Sequence, residues 1–174
     1  QKKQSSNNNT KFYNFNDFKN DYKDNMVGID VSVWQGNIDF EKVKNDGIEI
    51  VYMKSSEGTN YIDSKFEQNY KRARDAGLKI GFYHYVTARS VNQAEKEAQF
   101  FASVISGKVA DCRLAMDFES FGNMNKREIN TIGLAFMKKL EELTKKEVVL
   151  YSNAYTARRI WEGEVTNYPL WIAQ

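Results

Sequence analysis

From Val27 onward the sequence keeps switching between two periodicities, and this alternation restricts the fold more than any other feature. Short runs with an apolar residue at every second position read as strands. Longer runs with apolar residues three and four apart read as helices. Strands are expected at Val27–Trp34, Ile48–Ser55, Lys79–Val86, Arg113–Glu119, Glu147–Ser152 and Pro169–Ala173. Helices are expected at Ile38–Asn45, Asp63–Ala76, Val91–Ser106 and Lys126–Thr144, with a short helical turn at Thr156–Trp161. Gly47, Gly77 and Gly107 close the first three helices, and Asp63 is placed to cap its own. Strand–helix–strand units joined by right-handed crossovers give an α/β fold with a parallel sheet, either open and doubly wound or closed into a barrel.

The polar residues decide between these two outcomes. Glycine-rich phosphate-binding motifs are absent, which weakens the nucleotide-binding version of the open sheet. Polar groups instead recur at the C-terminal ends of the strands: Asp30 and Ser32, Ser56 and Glu57, Tyr83 and Tyr85, Asp117 and Glu119, Tyr151 and Asn153. Active sites of parallel barrels lie at that rim. In the stretch 114–120, Leu114, Met116 and Phe118 point one way, and Ala115, Asp117 and Glu119 the other. On an extended strand the two carboxylates would have Cα atoms about 6.5 Å apart. Like charges that close favour one protonated and one ionised carboxyl, a pairing suited to acid/base work on a glycosidic bond. Asp30 is a third carboxylate on a strand face of small and polar residues. His84 shares a face with Phe82 and Val86 and reads as packed.

The remaining features narrow the function. The net charge of +2 over 174 residues carries no basic stripe of the kind a dedicated nucleic-acid binder needs. With one cysteine and one histidine, neither a zinc site of the usual ligand types nor an intramolecular disulfide is expected. No apolar run is long enough to span a membrane. Residues 1–25, rich in Asn, Lys, Ser and Asp, read as a polar tether in which 12–22 could dock as a short helix. The folded catalytic domain is expected over 26–174.

Six blocks in this order carry a resemblance: 28–32 with Trp34-Gln35-Gly36, Lys54-Ser55-Ser56-Glu57-Gly58-Thr59, Gly81-Phe82-Tyr83-His84-Tyr85, Asp117-Phe118-Glu119, Tyr151-Ser152-Asn153 and Leu170-Trp171-Ile172-Ala173-Gln174. From about Val27 to Gln174 the chain resembles glycoside hydrolase family 25, the Chalaropsis-type lysozymes. The resemblance implies an irregular TIM-like (β/α) barrel and a β-1,4-N-acetylmuramidase acting on peptidoglycan, secreted or associated with the cell wall, without a cofactor. It implies Glu119 as the general acid, Asp117 as stabiliser of charge at the sugar, directly or through the substrate's acetamido group, and Asp30 as the residue that holds and tunes the pair. Tyr83, Tyr85, Glu57, Tyr151 and Trp171 are the expected substrate contacts. In that family two further strands follow the block at 170–174, so these residues are expected to form a barrel lacking its last two strands. Two other readings stay open: a wall-binding module without turnover, and a glycosidase for another polysaccharide.

Overall fold

A computed structural model of the protein describes residues 26–173. The tether and short helix read from residues 1–25, and Gln174, lie outside the described residues. Six parallel strands form one curled sheet in the order β1 (Gly28–Val31), β2 (Ile50–Glu57), β4 (Lys79–Tyr85), β5 (Leu114–Asp117), β6 (Val148–Asn153), β7 (Leu170–Ala173). A two-residue strand, β3 (Tyr61–Ile62), turns back antiparallel on the end of β2. The helices are α1 (Phe40–Asn45), α2 (Phe66–Asp75), α3 (Val91–Val104), α4 (Lys126–Thr144) and α5 (Ala154–Arg159).

One face of the sheet supplies Val31, Met53, Ile80, Phe82, Leu114, Met116 and Leu150 to a continuous core with helix residues such as Phe66, Ala98, Phe101, Phe136 and Leu140. Burial of these apolar groups drives the packing of helices on that face. The other face curls inward. The rings of Tyr52 on β2 and Trp171 on β7 lie 4.7 Å apart although three strands separate them in the sheet. Only a sheet wrapped around these rings brings them together, so the half-barrel expected from the sequence is present. Gly81 makes room for this filling: a Cβ there would stand 2.4 Å from the Tyr52 ring.

The elements end where local chemistry stops them. The first strand ends at Val31, short of Trp34, because Ser32 and Gln35 form a capping box around a 3-10 turn at Val33–Gln35. The second helix starts at Phe66 rather than Asp63. Asp63 is not its N-cap: it is buried, accepts hydrogen bonds from the amides of Val33 and Lys65 at 2.9 Å each, and ties the first turn to β3. Among the described residues no helix is long and apolar enough to cross a membrane.

Candidate active site

The strand register assembles the mouth. Tyr85, Asp117, Tyr151 and Trp171 are direct partners across β4, β5, β6 and β7, so their side chains project inward as one row at the C-terminal rim. Asp30, from the end of β1, lines a single cavity with Tyr83, Asp117, Tyr151 and Trp171. Trp171 forms its wall, its ring held between Tyr52 and the edge of Tyr151, 5.1 Å away.

Glu119 is reached differently from the sequence reading. Strand β5 ends at Asp117, so Glu119 stands beyond it on a loop and is exposed. That loop is nevertheless fixed. Phe118 is buried against Phe121 and Trp161, with ring centroids 5.2 and 6.2 Å away. The Trp161 indole N–H donates to Ser152 Oγ at 3.0 Å. From the side, the Arg89 guanidinium donates to Ser120 Oγ at 3.0 Å and to the carbonyls of Thr87 and Ala88.

Burial, and then the charge of Glu119, push the Asp117 carboxyl up to about 7 from 3.8; Asp30 and Glu57 add to the rise and Lys54 opposes it. One carboxylate oxygen of Asp117 is buried with no hydrogen-bond partner among the described residues. The carboxyl held protonated toward neutrality in this mouth is thus Asp117. The tyrosine hydroxyls respond to the same field. Burial raises Tyr83, Tyr85 and Tyr151, and neighbouring carboxylates raise each further, Asp117 acting on all three. They remain hydrogen-bond donors at neutral pH.

Two residues important to this electrostatic arrangement were not singled out in the sequence. Lys54 donates to Glu57 at 2.7 Å, and its ammonium lies over the rings of Tyr85 and Tyr61 at 5.2 and 5.7 Å. Residues three apart on a regular strand face opposite ways. Here a bulge between Lys54 and Ser56 absorbs one residue and returns Glu57 to the inner face. The doubled serine, Ser55-Ser56, between charges of opposite sign was the available signal. The second residue is Glu97 on α3, fully buried although carboxylates in helices usually face solvent. His84 is fully buried, as its neighbours Phe82 and Val86 imply, with its ring 5.4 Å from those of both Phe101 and Phe136. Ser56, His84 and Glu97 stand in the order of a nucleophilic triad, but none of the three is accessible and no substrate could reach Ser56.

Of the predicted site residues, Asp30, Tyr83, Asp117, Tyr151 and Trp171 line the cavity, Tyr85 pairs with Asp117 across the strands, and the charges of Glu57 and Glu119 act on the Asp117 carboxyl. Residues 29–174 match the family described as Glycosyl hydrolases family 25. The chain is 39% identical over 152 residues to the autolytic lysozyme of Clostridium acetobutylicum, covering 86% of this chain and 45% of that protein. It is 33% identical over 160 residues to lysozyme M1 of Streptomyces globisporus, covering 85% and 54%. Among solved structures, the bacterial lysozyme from Streptomyces coelicolor superposes with a TM-score of 0.72 at 30% identity, covering 87% of this chain and 75% of that one. The chain spans about half the length of the two curated relatives.

Proposed function

The chain belongs to glycosyl hydrolases family 25, and from that premise we propose that it is a lysozyme that hydrolyses the β-1,4 bond between N-acetylmuramic acid and N-acetylglucosamine in peptidoglycan, acting at the cell wall. The observation that carries this reading is the shared cavity of Asp30 and Asp117 with the charge of Glu119 beside it. Such a mouth can protonate a leaving oxygen at one carboxyl while others stabilise positive charge developing at the sugar. Glu119, exposed on its loop, becomes the acid when a sugar covers it and removes its water. Asp117, deeper and without a partner for one oxygen, receives the acetamido N–H of the substrate or the anomeric carbon itself. Asp30 adds a second negative charge from across the cavity. Tyr83 and Tyr151 supply hydroxyl donors, Tyr85 and Trp171 aromatic surface, and Glu57, held by Lys54, a polar edge.

The test is clearing of purified cell walls with Glu119→Gln as comparison. Loss of about 10²–10⁴-fold in rate is expected for removal of a general acid. Clearing at the parental rate would reject the assignment. A wall-binding module without turnover would sediment with insoluble peptidoglycan and release no muramic-acid reducing ends.

One observation favours exchanging two roles: Asp117 is the carboxyl that keeps its proton toward neutrality in the empty mouth. An activated aryl glycoside separates the assignments, because a good leaving group needs no acid. The variant lacking the true acid, Glu119→Gln or Asp117→Asn, regains rate on that substrate and the other does not.

A further inference from the structure

Behind the mouth, on the helix side of the sheet, lies a polar chain that the proposed chemistry does not use. Glu97 on α3 is fully buried. One of its oxygens accepts from the Thr87 amide at 2.9 Å, and the other from the Thr87 hydroxyl at 2.9 Å. The first oxygen also lies 3.5 Å from His84 Nε2. The other ring nitrogen, His84 Nδ1, is 2.8 Å from Ser56 Oγ. Ser56 Oγ is 3.1 Å from Ser55 Oγ, and Ser55 Oγ donates to the Tyr83 carbonyl at 3.1 Å. Burial lowers the His84 pKa despite the nearby carboxylate, so the imidazole is neutral at pH 7. A neutral ring with its hydrogen on Nε2 accepts the Ser56 hydroxyl at Nδ1, while Nε2 makes no hydrogen bond among the described residues and faces the Glu97 carboxylate as a 3.5 Å contact.

Buried polar groups are costly unless they are satisfied, and an apolar helix face would seal this position without them. What the chain holds is informative. At one end it grips the bulge that turns Lys54 and Glu57 to the same face. At the other it grips Thr87, in the turn after β4. The neighbouring Val86 amide donates to the Asp117 carbonyl at 2.7 Å. Two residues on, Arg89 holds Ser120, next to Glu119. The Gly58 amide bonds the Tyr85 carbonyl at 3.2 Å and so stitches the two ends together. The turn after β4 is therefore hydrogen-bonded to one helix through Glu97, and the β2 bulge reaches the same carboxylate through the buried His84 ring at 3.5 Å.

We propose that the buried Ser56–His84–Glu97 chain is a positioning device that locks the β2 bulge and the turn after β4 to α3, holding Lys54, Glu57 and Glu119 in place around Asp117. Its residues touch no substrate; they act through Thr87, Arg89 and the bulge. This inference rests on the hydrolase reading for its kinetic test, but not for its structural one.

Thr87→Val keeps shape and removes the hydroxyl that Glu97 accepts; Thr87→Ser keeps the hydroxyl. The expected result is a fall in kcat of about 10- to 100-fold for Thr87→Val, the scale of a misplaced reacting group, with KM within about twofold and with Thr87→Ser close to parental. A folded Thr87→Val with parental kcat overturns the proposal. Ser56→Ala frees the bulge from His84, so Lys54 should draw away from Asp117 and the Asp117 titration, followed by carboxyl NMR, should rise. An unchanged titration in folded Ser56→Ala also overturns it. Amide hydrogen exchange at Val86, Thr87 and Gly58 in Glu97→Gln needs no activity: faster exchange is expected, and parental exchange rejects the device. A parent protein that hydrolyses no wall while these amides respond would reject the lysozyme reading and leave the positioning chain standing.

Discussion

Replacing Asp117 by asparagine should stabilise the protein, and only when the pH is high enough to ionise the parent. Burial and the charge of Glu119 push this carboxyl up to about 7 from 3.8, so the native state keeps a proton that the unfolded chain releases. The stability linked to that proton is fully present below the unfolded pKa, declines as pH rises, and is gone once pH passes the folded pKa of about 7. Asparagine mimics the protonated carboxyl and suffers no such loss. A difference of about three pH units corresponds to about 4 kcal/mol. Solvent at the open mouth screens the charge and reduces the expectation to about 2 kcal/mol. For a chain of this size that is about 4–8 °C in Tm. Thermal melts of both proteins at about pH 4 and about pH 9 measure it, with near-equal Tm at the acidic value and the variant higher at the alkaline one. A variant no more stable than the parent at alkaline pH would refute the placement of Asp117 as a buried, charge-crowded carboxyl.

Further perturbations test neighbouring parts of the same mouth. Lys54→Met removes the cation that opposes the rise in Asp117, so the Asp117 titration moves further above about 7 by carboxyl NMR; movement downward would contradict the geometry. Glu119→Gln removes the second-largest cause of that rise and shifts the same resonance down, while burial keeps it above the ordinary value of 3.8. Gly81→Ala forces a methyl against the Tyr52 ring and should cost about 1–3 kcal/mol in urea unfolding, with Tyr52→Ala in the same chain recovering part of the Gly81→Ala penalty.

The strand and helix order was legible because one face of each element is buried, and burial imposes a period that composition cannot hide. The long helix at Lys126–Thr144 was legible from the helical spacing of Ile129, Ile132, Phe136 and Leu140, and a capping box of Asn125 and Glu128 fixes its start. Tyr85, Asp117 and Tyr151 were legible as residues at strand C-terminal ends, whereas Trp171 was expected only from the family resemblance, and the register aligns the four. Other features answer to distant partners. Asp63 was read as a local cap, but its second oxygen is claimed by Val33, thirty positions away. Glu97 was passed over because a carboxylate amid helical alanines normally faces water, and only the turn at Thr87 explains its burial. Glu119 was placed on the strand, yet pairing stops at Asp117, and the loop beyond it is held by Phe118 and Arg89.

The extra residue in β2 carries a lesson about length. Lys54 and Glu57 cooperate across an odd number of positions, which strict alternation forbids. Shortening the segment by one residue would remove the bulge and leave Lys54 and Glu57 two positions apart, still on one face of a regular strand. What the extra residue adds is a second buried hydroxyl behind the charge pair, since Ser55 and Ser56 are both fully buried.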